Sequence, residues 1–405
     1  MSASTSHSPL RLVISTGATI GLVIMGDSLL YSLLPLEAER LGIALPLVGL
    51  LLSANRLVRL LSNTWMSAIF ERFGPRLPFI TAAAFGLLTT VIYGLGWGFA
   101  AFLAARIGWG IAWSALRQGG YQAVWSESGI IKGRYMGLIW GIVRLGSALS
   151  VVAGGFLRDR FGYDTAVWAV VCIGALGIPV ALSIRWPESQ KAPPARRPSM
   201  RGWVEPFRDR QRLLILIAGL VDSIFEGVIV STASLFIANR LGGENAALTL
   251  GVGIGAMAGL LLAVRWTSDL IFGPAFGALA DRFGQARTAA LLAFALLAGA
   301  VGAATLAGIQ SALCLAFMFI MGAGLNIILG TLANGLAIRA ERPHLFVGVY
   351  TTATDAGLAL GPVLAYSIGG QERLGALYLA ITTALALAVV AYWMSQSKRG
   401  VPQHT

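Results

Sequence analysis

A small group of ionisable side chains lies inside long apolar stretches of this sequence. Its members are Asp27, Asp222, Glu226, Asp269, Asp355, Arg56, Arg59, Arg106, Arg117, Arg144 and Arg265. In an apolar setting a charged side chain is costly unless it is paired or hydrated, and those that persist take part in ion pairing, proton relay or ligand binding. These residues are therefore the first candidates for function.

The spacing of the acids on one stretch indicates proton chemistry. Asp222 and Glu226 are four residues apart, which places them on one face of a helix. Two ionised carboxylates at that separation repel each other, so the pair is a candidate site for binding a proton. Arg265 and Asp269 have the same spacing and can neutralise each other.

Residue types that enzymes use for catalysis do not form a cluster in this sequence. The histidines, His7, His344 and His404, fall in the tails or in a loop. Cys172 and Cys314 lie inside apolar stretches, where packing explains a cysteine better than a disulfide or a metal site does. We therefore expect no enzyme activity, no catalytic residues, no metal and no cofactor.

The composition is that of a membrane protein. Of the 405 residues, 56% are hydrophobic and 12% are charged, whereas soluble domains carry about a quarter charged residues. Apolar runs such as 77–105 and 289–325 are long enough for helices that cross a bilayer, which need about 20 residues. The runs lack a period of two and are too long for barrel strands, so the predicted fold is an all-α membrane protein.

Twelve transmembrane helices are predicted. They cover 11–35, 46–70, 77–98, 100–125, 133–157, 164–185, 212–238, 247–279, 287–308, 311–338, 345–369 and 373–394. The basic, proline-rich segment 186–211 divides them into an N-terminal bundle, 1–185, and a C-terminal bundle, 212–405, with six helices each. The first span contains Asp27 and resembles a spanning helix more than a cleaved signal.

The charge distribution sets the expected topology. The formal net charge is +12, but its basic residues lie in short loops, which is the topology signal of membrane proteins and not a nucleic-acid interface. With both termini in the cytoplasm, the external loops carry few basic residues: Arg40, Arg158, Arg160, Arg240 and Arg373. Lys and Arg concentrate on the cytoplasmic side, so we expect a multi-pass inner-membrane protein with this orientation.

One tetrapeptide recurs through the chain. It reads ERFG at 71–74, DRFG at 159–162, DRFG at 281–284 and ERLG at 372–375, and the copies follow spans 2, 5, 8 and 11. There is one copy for each three-span unit, and alternate copies fall on opposite sides of the membrane. Each bundle is therefore predicted to consist of two inverted three-helix repeats, related by pseudo-symmetry to the other bundle.

Two of these loops and one span contain motifs that resemble those of the major facilitator superfamily. The resemblance to this family extends over essentially the whole chain. The sequence reads GALADRFGQAR at 277–287, SAIFERFGPR at 67–76 and RIGWG at 106–110, in the order that the family shows after spans 8 and 2 and in span 4. Ser67 and Glu71 depart from the family pattern in the second of these. The resemblance implies that the loop residues form a cytoplasmic latch or, alternatively, a simple surface turn: Glu71, Arg72, Gly277, Asp281, Arg282, Gly284 and Arg287.

The resemblance also implies which residues face the transport path. In this family spans 1, 4, 7 and 10 line the central cavity, which assigns the path to Asp27, Tyr31, Arg117, Asp222, Glu226 and Asn326. Aromatic residues lie one turn from several charges, as Trp113 does from Arg117 and Trp140 from Arg144. They either line an amphipathic cavity or serve as ordinary packing and interfacial anchors.

The remaining charges are assigned to charge pairs and gating. Arg56 and Arg59 share a face of span 2, and Arg59 and Asp269 occupy equivalent positions in the two halves with opposite charge. Arg144 and Asp355 repeat that relation in spans 5 and 11. These charge pairs are either structural ion pairs or gates that break when the transporter opens. For Arg106, pairing and snorkelling to the external surface are both open.

Together these features predict a secondary transporter that works by alternating access. Span 5 keeps the frame of an exporter pattern at Gly146, Gly154 and Gly155 but has Ser150 and Val151 where exporters have Gly and Pro, which favours efflux weakly. The expected function is proton-coupled export of a small amphipathic organic compound. The alternatives are an organic-anion carrier and a transporter-like sensor or lipid-handling protein without proton coupling. The expected partners are the substrate, protons and the lipid bilayer, with no nucleic acid, and a monomer suffices.

Overall fold

A computed structural model of the chain describes residues 9–125, 132–186, 209–241, 253–338, 343–368 and 373–397. These residues are almost entirely α-helical, and no strand occurs among them, which confirms the predicted all-α class. The predicted linker at 186–211 falls largely outside these ranges, as do the ends of both tails. Its role as a linker therefore stays a prediction.

The first six predicted spans correspond to eight helices. They are α1 (Pro9–Val23), α2 (Met25–Glu37), α3 (Leu45–Phe73), α4 (Arg76–Leu95), α5 (Gly98–Trp125), α6 (Lys132–Phe161), α7 (Tyr163–Ala175) and α8 (Gly177–Ser183). Helices α1 and α2 follow each other with one residue between them and form the first span, and α7 and α8 form the sixth in the same way.

The remaining spans each correspond to one helix. They are α9 (Arg210–Leu241), α10 (Ile254–Phe283), α11 (Gln285–Thr305), α12 (Gly308–Ile338), α13 (Pro343–Ile368) and α14 (Leu374–Ser397). Eleven spans among the described residues are long and apolar enough to cross a membrane. Helix α13, the eleventh predicted span, is not among them. Its middle carries polar residues, including Thr351, Thr352, Thr354 and Asp355, that lower its hydropathy.

The chain divides into two compact units. Unit 1 comprises Met1–Leu47, Ala54–Pro194 and Gly255–Ala263, and unit 2 comprises Val48–Ser53, Ala195–Ile254 and Val264–Thr405. The predicted bundles, 1–185 and 212–405, differ from these units by two short exchanged segments, and their limits stay predictions.

In unit 1, helix α6 packs against the first span through small residues. A Cβ on Gly146 would collide with the carbonyl oxygen of Gly21, so the two helix backbones touch. The Ser28 and Ser147 hydroxyls are hydrogen-bonded at 2.9 Å, and the Ser150 hydroxyl donates to the Met25 carbonyl at 2.6 Å. Ser150, which replaces Gly in the exporter pattern, therefore links α6 by a hydrogen bond to the junction between α1 and α2.

Unit 2 contains the same arrangement between α9 and α13. A Cβ on Gly361 would lie 2.7 Å from the Gly227 Cα, and one on Gly357 would lie 2.5 Å from the Leu220 carbonyl oxygen. The Tyr366 hydroxyl donates to the Ser231 carbonyl at 2.7 Å. Spans 1 and 5 and spans 7 and 11 thus pack through glycines in both units, as the predicted repeat requires.

Three of the four tetrapeptides form turns at helix ends. Their glycines, Gly74, Gly162 and Gly284, have φ values of 71°, 87° and 86°, in the left-handed region that favours glycine. The fourth copy differs, because Gly375 lies inside the first turn of α14 and packs against Ala304. The tetrapeptide therefore does not form a glycine turn in the fourth copy, because α14 begins before the glycine is reached.

The close packing of α6 on the first span predicts a steric effect. We expect Gly146→Ala to destabilise the protein by about 1–3 kcal/mol, because the added methyl group meets rigid backbone that cannot yield cheaply. Thermal unfolding of the purified protein in detergent measures the change. Gly137→Ala on the same helix is the matched control, since a Cβ there meets nothing within 4 Å. Equal unfolding temperatures for the two variants would contradict the packing described.

Candidate functional site

A buried ion pair lies at the centre of unit 1. Asp27 on α2 accepts hydrogen bonds through Oδ1 from Nη1 of Arg106 on α5 and, at 3.4 Å, from Nδ2 of Asn55 on α3. The Arg106 side chain has no exposed surface. Arg106 is therefore paired with Asp27 and does not snorkel, and its part in gating stays a prediction.

Tyr31 joins this pair one helical turn after Asp27. Its hydroxyl accepts a hydrogen bond from Nη2 of Arg106 at 3.4 Å. The guanidinium carbons of Arg56 and Arg106 lie 5.5 and 5.6 Å from the centre of its ring, within the range of cation–π attraction. Asp27, Tyr31, Arg56 and Arg106 were predicted from the sequence to be functional residues, and Asn55 was not. The available signal was a polar residue directly before Arg56 in an apolar span.

A second cluster lies in unit 2. Asp222 on α9 is 2% exposed, and its Oδ2 accepts a hydrogen bond of 3.0 Å from Nδ2 of Asn326 on α12. One turn further along α9, Oε1 of Glu226 lies 2.6 Å from Nη2 of Arg265 on α10. Arg265 also reaches Asp269 on its own helix, with 3.3 Å between Nη1 and Oδ1.

Arg265 is therefore shared between two carboxylates. The predicted neutralisation of Asp269 by Arg265 occurs, and the contact between Arg265 and Glu226 adds a link between α9 and α10 that spacing along one helix could not reveal. The two acids of α9 thus have different partners. Glu226 has a cation, while Asp222 has a neutral amide.

The two acids of α9 line a narrow crevice in unit 2. Its other lining residues are Phe225, Ile229, Arg265, Phe319 and Gly322. The crevice is too narrow to hold a water molecule, and most of its wall is apolar. Such a place can admit a proton to a carboxylate, but it cannot admit an organic molecule without rearrangement.

The other predicted gate residues lie on the expected helices. Arg56 and Arg59 are half-buried on α3, as is Arg144 on α6, and Asp355 is buried on α13. Arg59 and Asp269 belong to different units, as do Arg144 and Asp355. Their proposed relations stay predictions.

Arg117 lies on α5 with its side chain half-buried. It forms no hydrogen bond, ion pair or ring contact with any residue in the part of the chain that the structure describes. The aromatic residues that precede and follow it at four-residue intervals, Trp113 and Tyr121, are both in contact with Trp140 of α6.

Glu71 and Arg72 are exposed at the end of α3, Asp281 and Arg282 at the end of α10, and Arg287 in the first turn of α11. The predicted latch glycines, Gly277 and Gly284, are half-buried. Arg72 lies over the ring of Phe73 at 5.2 Å, and Arg282 lies over Phe283 at 5.3 Å, so the two loops share one local geometry. Within the described ranges, Glu71, Asp281 and Arg287 form no ion pair. A Cβ on Gly277 would meet nothing within 4 Å, so this glycine is not demanded by local packing. The latch stays a prediction.

A network of charges that the sequence analysis did not single out lies at the end of α6. Arg158 pairs with Glu37 at 2.6 Å, and Arg40 pairs with Glu37 at 3.1 Å and with Asp164 at 2.9 Å. The hydrogen bond to Asp164 raises the pKa of the Arg40 guanidinium above its ordinary value, so this loop charge is permanent.

Asp159, in the second tetrapeptide, caps the start of α10. Its two carboxylate oxygens accept hydrogen bonds from the backbone N–H groups of Gly255, at 3.0 Å, and Ala256, at 2.7 Å. All three residues belong to unit 1. A carboxylate at a helix N-terminus satisfies free N–H groups and is favoured by the helix dipole. The recurrence of the tetrapeptide was the signal that could have identified this cap.

Comparison with known proteins gives one consistent family. The family model described as Major Facilitator Superfamily matches residues 16–362. Multidrug resistance protein MdtG of Escherichia coli (strain SMS-3-5) is 21% identical over 386 residues, covering 93% of this chain and 92% of that protein. MdtG of Escherichia coli strain K12 / DH10B is also 21% identical, with the same coverage.

Two solved structures share the fold. The nucleoside transporter NupG superposes with a TM-score of 0.77 at 12% identity, covering 95% of this chain and 98% of that one. A bacterial homologue of the human lysosomal transporter Spinster, in an inward-facing and unoccupied conformation, superposes with a TM-score of 0.72 at 15% identity. That match covers 97% of this chain and 98% of the other. At these identities the likeness concerns the fold alone.

The buried pair of Asp27 and Arg106 predicts a large effect of removing one charge. We expect Asp27→Asn to destabilise the protein by about 3–5 kcal/mol, because Arg106 is then left charged and without a counter-charge in the interior. The yield of folded protein and its unfolding temperature in detergent check this. The double variant Asp27→Asn/Arg106→Met should regain much of the loss. A single variant as stable as the unmodified protein would contradict the pairing.

The cap on α10 predicts a smaller effect. We expect Asp159→Asn to lower stability by about 1 kcal/mol, because an amide caps a helix without the full charge that complements the dipole. Asp164→Asn is the matched control, since the pair of Asp164 and Arg40 is exposed and such pairs contribute between about 0 and 1 kcal/mol. Thermal unfolding at low salt compares the two. The cap would be refuted if the control lost as much stability as the Asp159 variant.

Proposed function

Because the chain belongs to the Major Facilitator Superfamily, it is a multi-pass membrane transporter and not an enzyme, and we propose that it exports a small amphipathic organic compound in exchange for protons. The proposal places it in a bacterial inner membrane with both termini in the cytoplasm. The concentration of Lys and Arg in the predicted cytoplasmic segments supports that orientation.

One observation carries the proton coupling. Asp222 lies in the interior of a membrane span, and its hydrogen-bond partner among the described residues is the neutral amide of Asn326. Among the described residues, no cation is in contact with an ionised carboxylate in that position, and binding a proton removes the charge. The nearest acid on the same face, Glu226, already holds Arg265, which gives Asp222 and Glu226 distinct roles.

The arrangement supplies a way to link proton binding to helix movement. While Asp222 is ionised, it and Glu226 place two negative charges on one face of α9, opposite the single Arg265 of α10. A proton on Asp222 leaves one negative charge on this face, and the attraction between α9 and α10 changes accordingly. A buried acid that alternates between these states can favour one packing of the two helices over another.

Two observations support export as the direction of transport. The relatives named multidrug resistance protein MdtG match over nearly the whole chain. The contacts of Gly146 and Ser150 also show that the exporter-like pattern of span 5 lies where α6 meets the first span. A rigid, closely packed pair of spans at this position suits a transporter whose helices move as groups.

A second candidate, an organic-anion carrier, is favoured by the charge of unit 1. Its spans hold five arginines of the set considered above and a single acid, Asp27, which Arg106 neutralises. These arginines are compatible with proton-coupled export of an amphipathic acid.

The role of Asp222 predicts loss of coupling in its variant. In everted membrane vesicles with an acid interior, we expect a transported compound to dissipate the pH gradient, as followed with a pH-sensitive fluorescent dye. The compounds are lipophilic cations, neutral drugs and organic anions. Asp222→Asn should reduce the response at least tenfold, because the amide cannot bind and release a proton.

Two controls make this experiment decisive. Asp164→Asn alters an exposed acid outside the cluster and should respond like the unmodified protein. Exchange of labelled substrate across vesicles without a gradient should survive in Asp222→Asn, since that step needs no net proton movement. A full response to the gradient in Asp222→Asn would contradict proton coupling through this residue. No response of the unmodified protein to any of the compounds would favour a sensor or lipid-handling role.

A further inference from the structure

We propose that the substrate is an aromatic organic anion, whose ring lies against Trp113, Trp140 and Tyr121 and whose acid group binds Arg117, within unit 1. This inference rests on the proposed function, because it names the substrate class of the same transporter. The four side chains come from α5 and α6, two neighbouring helices of one unit.

The sequence arranges these residues as a row on one helix. Trp109, Trp113, Arg117 and Tyr121 follow one another at four-residue intervals on α5, which places them along a single face. The ring centres of Trp109 and Trp113 are 5.9 Å apart. Arg117 is therefore the one charged member of an otherwise aromatic row.

Trp140 of α6 faces the middle of that row. Its ring centre lies 6.1 Å from that of Trp113 and 6.0 Å from that of Tyr121. Trp113 and Tyr121 are eight residues apart, or about 12 Å along the helix, so Trp140 lies opposite the level of Arg117. The three rings and Arg117 therefore occupy neighbouring positions along the contact between α5 and α6.

Two hydrogen-bond donors in this row have no acceptor among the residues that the structure describes. The indole Nε1 of Trp113 is buried and has no hydrogen-bond partner among the described residues. The half-buried guanidinium of Arg117 likewise has no partner there. An unpaired guanidinium within a membrane span is costly, whereas Arg106 and Arg265 each hold a carboxylate. An anionic group of a ligand would accept from both donors.

The charge around the rings distinguishes between anions and cations. Aromatic rings alone also attract cations through their faces. Here Arg117 stands between Trp113 and Tyr121 on α5, and Arg144 lies one turn from Trp140 on α6. The charge of Arg117 repels a cation and attracts an anion. A planar acid can place its ring against the indoles and its carboxylate, sulfonate or phosphonate group at Arg117.

The test measures binding of matched probes to the full-length protein in lipid nanodiscs by calorimetry. The probes are 1-naphthoate, its neutral alcohol 1-naphthalenemethanol, its cationic amine 1-naphthylmethylammonium, and cyclohexanecarboxylate as an anion without an aromatic ring. We expect 1-naphthoate to bind at least tenfold more tightly than each of the other three. Equal or tighter binding of the amine would overturn the proposal.

Variants of the arginine test the recognition of the acid group. Arg117→Gln should weaken 1-naphthoate at least tenfold and leave the neutral alcohol unchanged. Arg117→Lys should keep the preference for the anion, which separates loss of charge from damage to the fold. Arg210→Gln, at the exposed start of α9, is the matched control and should change nothing. Unchanged 1-naphthoate binding in Arg117→Gln would overturn the proposal.

Variants of the tryptophans test the recognition of the ring. Trp140→Leu should weaken 1-naphthoate at least fivefold while affecting cyclohexanecarboxylate less, and Trp113→Phe should weaken it about threefold by removing the N–H donor and part of the ring. Trp97→Leu is the control, because Trp97 is 69% exposed in a loop. Equal losses for the aromatic and the alicyclic acid would contradict an aromatic subsite.

The outcomes separate this inference from the proposed function. If 1-naphthoate binds through Arg117 but never dissipates a pH gradient, the substrate class stands and proton coupling fails. If a lipophilic cation dissipates the gradient in a manner that depends on Asp222 and not on Arg117, proton coupling stands and the aromatic-anion site fails.

Discussion

The burial of charge in a membrane is the constraint on which the rest of this structure depends. Arg106 can be buried in the interior of unit 1 because it forms an ion pair with Asp27. Asn55 and Tyr31 add hydrogen bonds to this pair. That single contact ties three spans together and fixes their rotation, since each must turn its polar residue toward the same point. The glycine contacts of Gly146 with Gly21 then bring α6 against the first span.

The same constraint gives the two units different tasks. In unit 2 the acids outnumber the cation, and Asp222 is held by an amide in a narrow crevice. In unit 1 the arginines outnumber the acid, and Arg117 lies beside aromatic rings without a partner among the described residues. An imbalance of opposite sign in each unit is what a transporter of an organic anion and protons would use.

Much of the fold could be predicted from the sequence because the length and hydropathy of a segment identify it as a membrane helix. The apolar runs and the repeated tetrapeptide predicted the helical spans and the glycine turns at Gly74, Gly162 and Gly284. Contacts between helices were harder, because sequence spacing reveals faces but not which faces meet. Arg106 with Asp27 and Arg265 with Glu226 join residues 79 and 39 positions apart, and neither pair follows from a helical period.

The most direct measurement is proton release by the purified protein in weakly buffered detergent solution when 1-naphthoate is added. In an exchanger the substrate and the proton disfavour each other, and this linkage requires that binding of one displaces the other. The account predicts release of about one proton per molecule at saturation, and loss of that release in Asp222→Asn while 1-naphthoate still binds. Binding without any proton release, or an unchanged release in Asp222→Asn, would contradict the central claim.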